Sequence, residues 1–310
     1  MVSGSDMHGT PITVTAQQEG KTPEQVAMEY HKLNSDSIER MGISFDLFSH
    51  THTEEHAEVA LSILKKLDDN GYIEPRISEE PYDPIANQFL PDRYVEGNCP
   101  HCNYDSARGD QCDKCGKTLD PKELINPRSK LNPDAKIEFR ETEHLFFKLS
   151  EFRDVLLEWL SEGKEHWRPS VINFTRNWLK EGLIDRAVTR DLDWGIEIPR
   201  EGYEDKRMYV WFEAVMGYYS ASIHWAKNQG KPEEWKKWWE NEESEHYYFM
   251  AKDNIPFHTI IWPAMLSGCG YKLPYDVPAN EYLLLDSSQF SKSRRHAIWI
   301  PDYLDRYDPE

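Results

Sequence analysis

The chain has 310 residues, 39% hydrophobic and 13% aromatic with 11 Trp, which is enough apolar material for one large α/β domain with an insert, or for two domains; global disorder is excluded. A formal net charge of −19 argues against a broad basic footprint for nucleic acid. No apolar run approaches the ~18 residues of a membrane span, and no signal peptide opens the chain, so no membrane partner is expected. Four of the five cysteines crowd into 99–115 and Cys269 stands alone, a pattern that suits a reducing cytoplasm better than a secreted disulfide scaffold.

Thr22-Pro23-Glu24-Gln25 reads as a capping box with proline at the first helical position. Val26, Tyr30, Leu33, Ile38 and Met41 then recur at helical spacing, and Gly42 ends the run. A second helix starts near Thr53-Glu54-Glu55, carries Val59, Ile63, Leu64 and Leu67 as its apolar stripe, and stops at Asn70-Gly71. From 72 to 98, Pro75, Pro81, Pro84 and Pro91 break any helix, which predicts an irregular or β-rich segment. Helices resume over 150–162 and 169–181.

Three strand-like stretches follow, at 207–212, 246–251 and 281–285, the first two each succeeded by a helical pattern. Strand, helix, strand, helix, strand predicts a parallel sheet with crossover helices, hence an α/β, Rossmann-like catalytic domain interrupted by an insert. The expected division is 1–71 and 187–285 for the two parts of the sheet domain, 72–186 for the insert, and 286–310 for a loop and the start of a following domain. The sheet domain is expected to begin upstream of residue 1.

The stretch CPHCNYDSARGDQCDKC, 99–115, has the spacing C-x2-C-x9-C-x2-C. Two such knuckles bring the thiolates of Cys99, Cys102, Cys112 and Cys115 into a tetrahedron that selects zinc. Four thiolates leave no open position for water or substrate, so this one Zn²⁺ is structural, with Gly109 and Gly116 placed for tight turns. His101, inside the first knuckle, is a competing ligand only if a cysteine gives way.

In a doubly wound sheet, ligands bind at the carboxyl ends of the strands. Polar residues after the strand-like runs are therefore candidates: 6–11 (DMHGTP), Trp211 to Tyr218, and 252–258 (KDNIPFH). Each also has a structural reading. Trp211 and Tyr218 are equally core aromatics, His258 a satisfied core histidine, and Lys252-Asp253 a surface pair at a helix start. The stretch FSKSRR, 290–295, is a basic, hydroxyl-rich loop suited to phosphate oxygens, or simply a solvated loop.

The segments SDMHGTPI, YVWFEAVMGYYSA, AKDNIPFHTIIWPAML and FSKSR, in this order around a zinc insert reading ARGDQCDKCG, resemble methionyl-tRNA synthetases, class I enzymes, of the archaeal/eukaryotic-like kind. The resemblance runs through the whole chain. It implies a Rossmann-like domain split by a zinc-bearing connective insert, activation of L-methionine with ATP and Mg²⁺ to methionyl-adenylate, and transfer to tRNA(Met). In its terms Trp211, Ala214, Val215 and Tyr218 wall the methionine side chain on one side, and Phe257 and His258 on the other. Polarizable aromatics suit a flexible thioether. Asp6 corresponds to the acidic residue near the α-ammonium, Arg190 to a residue of adenylate formation, and Glu197 and Asp253 to ribose-holding positions. Many relatives have proline at the position of Val215, and the spacing from Arg190 to Glu197 is one residue shorter than in some.

QFSKS, 289–293, stands in place of the KMSKS signature, so Lys292 would hold the ATP phosphates as charge builds on pyrophosphate. The resemblance also implies a HIGH-bearing strand upstream of Ser3 and an anticodon-binding domain after the KMSKS region. Neither motif lies in these residues, which predicts a chain impaired in adenylate formation and in tRNA selection. Ser129 and Asn132 stand where some relatives carry a further Cys pair, which favours a single zinc. The insert is too short for the editing capacity of synthetases for larger aliphatic amino acids. The reading from another class is a zinc-containing binding module without catalysis.

Overall fold

A computed structural model describes residues 1–91, 94–109, 112, 114–115, 119–132, 134–286, 288–290 and 296–309. They form two compact units, one made of Met1–Ile73, Lys148–Arg186 and Val210–Glu310, the other of Glu74–Phe147 and Ala187–Tyr209. Packing thus puts 148–186 with the first unit and 187–209 with the second, where the sequence had suggested the reverse for both segments.

The first unit opens with β1 (Val2–Ser5), α1 (Thr10–Glu19), α2 (Pro23–Arg40), β2 (Leu47–His50) and α3 (Glu54–Asp69). β1 and β2 pair in parallel, Val2 opposite Leu47 and Ser5 opposite His50, with the helices as crossover. Gly4 permits that pairing: a Cβ there would stand 2.6 Å from the carbonyl oxygen of Ser49. The capping box of α2 is present, with Gln25 N–H donating to Thr22 Oγ1 at 3.2 Å and Thr22 N–H donating to Gln25 Oε1 at 2.9 Å. Its apolar stripe is only partly interior: Val26 and Ala27 are buried, whereas Tyr30 and Leu33 are 51% and 46% exposed. α3 is as read from its pattern. Thr53 caps it, Val59, Ile63, Leu64 and Leu67 are buried, and Gly71 takes a φ of 81° after the stop.

The rest of the unit comprises α4 (Arg153–Trp159), α5 (Pro169–Glu181), α6 (Val210–Glu213), α7 (Gly217–Asn228), α8 (Lys236–Trp239), β12 (Met250–Ala251), α9 (Trp262–Gly268), β13 (Ala279–Asn280), β14 (Leu284–Leu285), β15 (Ser288–Gln289) and α10 (Ile300–Leu304). β12 pairs in parallel with β13. The core lies under α3, α5 and α9, around Leu67, Leu179, Trp262 and Met265. Here Gly268 lets α9 approach α3, since a Cβ would meet Leu67 Cδ2 at 2.6 Å.

In the second unit β3 (Ile73–Asp83), β4 (Gln88–Phe89), β8 (Glu138–Phe147) and β9 (Arg186–Ala187) form a sheet of order β4-β3-β8-β9. A three-stranded antiparallel sheet, β6 (Ala107–Arg108), β5 (Val95–Asn98) and β7 (Ile125–Ser129), supports the cysteines. β10 (Thr189–Arg190) and β11 (Arg207–Met208) pair antiparallel.

The α/β class stands, with parallel and antiparallel sheets, but all three expected strands shrink, 246–251 to Met250–Ala251 with Tyr247 in an isolated bridge to Asp276. Of 207–212 only Arg207 and Met208 are extended, and Val210–Glu213 is already helical. Of 281–285 only Leu284 and Leu285 are extended, in an antiparallel hairpin with Ser288–Gln289. Aromatic and β-branched residues mark burial as readily as strand, so a run such as MYVWF carries no decisive period. Of the parallel pairing expected of these stretches, that of 246–251 survives as β12–β13, and β1–β2 adds a second parallel pair.

Candidate functional site

A cavity of about 210 Å³ opens at the carboxyl ends of β1 and β2. It is lined by Trp211, Ala214, Val215, Tyr218, Phe257 and His258, which the resemblance implies as walls for the side chain, and by Asp6, which it implies near the α-ammonium. Val2, Ser3, Gly4, Ser49, His50 and Thr51 also line it and lie in no quoted motif, whereas the further lining residues Ser5, Gly217, Ala221 and Asn254 fall inside the quoted segments. The volume lies below the ~300–1,000 Å³ of pockets for drug-sized ligands and suits a small molecule.

The aromatic walls come from two helical segments. Trp211 stacks on Phe257 with ring centroids 4.6 Å apart and planes 19° from parallel. Phe257–Ile261 is a π-helical turn leading into α9; its extra residue per turn rotates Phe257 and His258 onto the cavity side. His258 Nδ1 donates to the Asn254 carbonyl at 2.9 Å, so Nε2 is an acceptor and takes the Tyr218 hydroxyl proton at 2.8 Å. Burial pushes the imidazole down to about 4 and the Tyr218 phenol up to about 12. Both groups are neutral at pH 7, giving an aromatic wall whose polar atoms are already satisfied. Such a wall accepts an apolar or thioether side chain and disfavours a charged one.

Asp6 sits in the turn after β1 and keeps an exposed edge at the cavity mouth, while surrounding protein atoms crowd its carboxylate. That desolvation, with the charge of Glu213, pushes its pKa up to about 7 against the opposing hydrogen bond from His8 N–H. Behind it lies a fully buried carboxylate that the sequence reading missed. Glu213 Oε1 is 2.9 Å from His8 Nδ1, and Oε2 is 2.6 Å from His56 Nε2. His56 Nδ1 is 2.9 Å from Ser220 Oγ, and His8 Nε2 is 3.1 Å from His52 Nδ1. Burial works to raise the Glu213 pKa, but hydrogen bonds from His56 and His8, and their charge, outweigh it and hold the carboxyl below its ordinary value. The one sequence signal for this group was a glutamate in an otherwise apolar helical run, VWFEAV.

Asp253 is exposed in the helical turn Lys252–Asn254, beside the cavity-lining Asn254 but not itself part of the lining. In the second unit, Arg190 lies opposite Arg207 in the β10–β11 pair, with its guanidinium 4.4 Å from the Tyr209 ring centroid. Glu197 bridges to Arg207 on the backbone, and its exposed carboxylate is 3.4 Å from Arg207 Nη2. Arg190 and Glu197 are thus held on two sides of Arg207. Lys292 lies outside the described residues.

The cysteine module follows β5. Among the described residues, Cys99, Cys102, Cys112 and Cys115 are the group able to hold a metal, with sulfur atoms all within 4.8 Å of one another. Cys99 and Cys115 sulfurs are 3.8 Å apart, and Cys102 and Cys112 sulfurs 3.7 Å. Zn–S bonds of ~2.3 Å in a regular tetrahedron place sulfurs about 3.75 Å apart, so the donor set fits zinc. Asn103, at φ 57°, makes the left-handed turn of the first knuckle, while Gly109 donates from its N–H to the Val95 carbonyl; Gly116 lies outside the described residues. Ser129 Oγ donates to Asp83 Oδ2 and accepts from the N–H groups of Leu131 and Asn132, all near 3.2 Å, so it is a turn-former.

The fold and this pair of sites define a class I synthetase catalytic region: the profile described as "tRNA synthetases class I (M)" matches residues 1–310. The chain belongs to that family, the methionyl-tRNA synthetases of class I. It is 58% identical over 308 residues to a methionine–tRNA ligase of Dehalococcoides mccartyi, covering 99% of this chain and 55% of that protein. It is 54% identical over 312 residues to the methionine–tRNA ligase of Thermomicrobium roseum, covering 100% and 53%. The chain therefore spans about half the length of the curated relatives it matches. In fold it is similar to the crystal structure of Mycobacterium tuberculosis methionyl-tRNA synthetase bound by methionyl-adenylate, with a TM-score of 0.70 at 22% identity, over 96% of this chain and 52% of that one. No helix among the described residues is long and apolar enough to cross a membrane.

Proposed function

We propose that this chain carries the amino-acid-activating region of a methionine–tRNA ligase. L-Methionine binds in the cavity of the first unit. Its α-ammonium meets the Asp6 carboxylate, its side chain lies between the Trp211–Phe257 stack and Ala214, Val215, Tyr218 and His258, and the thioether contacts the ring edges. The observation that carries this reading is that every residue the resemblance implied for methionine lines one cavity. A methionine carboxylate oxygen attacks the α-phosphorus of ATP, the α–β bridging P–O bond breaks, and pyrophosphate leaves with its electron pair. A terminal ribose hydroxyl of tRNA(Met) then attacks the carbonyl carbon of methionyl-adenylate, the bond from that carbon to the phosphate oxygen breaks, and AMP leaves with the electron pair.

For the nucleotide, we propose that Lys292 neutralises charge developing on pyrophosphate, that Arg190 serves adenylate formation, and that Asp253 and Glu197 hold the ribose. Mg²⁺ enters with ATP as part of the substrate. One Zn²⁺, held by Cys99, Cys102, Cys112 and Cys115, orders the insert and takes no part in the reaction. Reduced cysteines are a condition of that site, in keeping with a cytoplasmic location.

Methionine-dependent exchange between pyrophosphate and ATP tests the proposal, with L-leucine as control. Exchange that depends on methionine and not on leucine, at whatever rate, is the result that supports the reading. Exchange absent from the zinc-loaded protein, together with saturable methionine binding, would reduce the chain to a binding module. Methionine binding no tighter than leucine binding would overturn the assignment of the cavity.

A further inference from the structure

The buried carboxylate of Glu213 is not among the residues lining this cavity, yet it ties the Asp6 turn and the pocket helix, which do line it, to α3, which does not. It sits between two residues whose side chains line the cavity, Phe212's neighbour Trp211 on one side and Ala214 on the other. Its own side chain, fully buried, points away from the cavity toward His8 and His56. His8 belongs to the turn that carries Asp6, and its N–H lies 3.4 Å from Asp6 Oδ1. His56 belongs to the first turn of α3, capped by Thr53 Oγ1 at 3.1 Å. Met7, between Asp6 and His8, donates its N–H to Thr51 Oγ1 at 3.0 Å, which anchors the same turn to the end of β2.

We propose that Glu213 is the positioning residue of the amino-acid site: through His8 it holds the Asp6 turn against the pocket helix, and through His56 it fixes that helix on α3. This inference rests on the reading of the cavity as an amino-acid pocket. A buried charge on two imidazoles is costly to misplace, because a shift that breaks either hydrogen bond leaves an unpaired charge in a dry interior. The arrangement therefore has one low-energy geometry, and Asp6 inherits it. It also places a negative charge behind Asp6, which adds to the desolvation that raises that carboxyl to about 7.

The groups facing Asp6 and Glu213 are few. His8 comes from the Asp6 turn, His50 and His52 from the end of β2, His56 from α3 and His258 from the π-helical turn. Glu24 on α2 lies 3.9 Å from His52 Nε2, and His31 and His224 bear on His50. His50 and His258, both pushed down to about 4, stay neutral from pH 5.5 to 8.5.

The test is titration of the zinc-loaded protein with L-methionine across that pH range, by calorimetry and Trp fluorescence, for the wild type, Asp6→Asn, Glu213→Gln and His8→Gln. Glu213→Gln is expected to bind methionine about tenfold more weakly at pH 8.5, the value of a lost charge-assisted hydrogen bond. It is also expected to move the affinity midpoint to lower pH, since a negative charge has left the surroundings of Asp6. His8→Gln, which spares the His56 contact, is expected to weaken binding but to move the midpoint the other way, because the His8 charge favours ionised Asp6. Opposite displacements are a signature that a packing role does not produce. Weaker binding with an unmoved midpoint in both variants, or wild-type behaviour in both, overturns the proposal. If Glu213→Gln does not fold, His8→Gln alone decides it by the same two readouts. Asp6→Asn separates the layers: wild-type affinity there removes Asp6 from the amino-acid site itself, whereas weakened Asp6→Asn beside an unaffected Glu213→Gln removes only the positioning role.

Discussion

The cysteine module and the aromatic cavity are assembled by opposite means. The module takes its donors from 99–115, one short stretch, which brings four sulfur atoms within 4.8 Å of one another, a set able to hold a metal ion. The cavity takes its lining from residues as far apart as Asp6 and His258, and its geometry is the by-product of packing α3, α7 and α9 around a dry core. The contrast teaches where each is vulnerable. A knuckle with almost no core stands or falls with its ion, while a cavity in a packed unit loses affinity in small steps before it loses shape.

Removing the metal is the largest way to break the comparison. Cys102→Ser, or chelation, is expected to cost the module on the order of 10 kcal/mol of folding free energy. Zinc content measured by mass spectrometry should fall from one ion per chain to none, with an early calorimetric transition. Methionine binding is expected to survive; its loss would show that the two sites are not independent.

Leu67→Ala attacks the packed unit. Leu67 is fully buried on α3, and its truncation is expected to cost about 2–5 kcal/mol in urea denaturation. A smaller cost would mean that the core beneath the cavity collapses to fill the gap.

Asp6→Asn is expected to weaken methionine binding by about 1.5–3 kcal/mol, roughly 10- to 150-fold, and to flatten its pH dependence. In the wild type, affinity should rise through pH 7 as Asp6 ionises. Stability moves oppositely. The native carboxyl, at about 7, still holds a proton that the unfolded chain releases near 3.8, so the Asp6 contribution to stability falls as pH rises across that interval. A methionine titration curve independent of pH between 6 and 8 would refute the assignment.

Tyr218→Phe leaves His258 Nε2 without its 2.8 Å donor inside the cavity, and about 1–3 kcal/mol of stability should go with it. Thermal unfolding of the variant, with and without methionine, reads this directly. The smallest effect is Thr22→Ala, which removes the cap of α2 at the surface and should cost about 1 kcal/mol in the same assay while leaving methionine affinity unchanged.

Much of this was legible in the chain alone, for local reasons. The capping box at Thr22, the stripe and stop of α3, the helix 169–181 and the four-cysteine spacing are all short-range patterns, and each has its own chemistry within a few residues. The cavity stretches were legible as candidates from their place after strand-like runs, but their grouping into one site came only from the family's quoted motifs, because no period relates Asp6 to Phe257. Tertiary structure decided the rest. It turned half of the aromatic run 207–212 into helix, since burial and strand share a composition. It left Tyr30 and Leu33 exposed, since an apolar stripe does not name what covers it. And it brought Glu213, His8 and His56 together across the fold, a buried charge whose cost and whose partners exist only once the chain has closed around them.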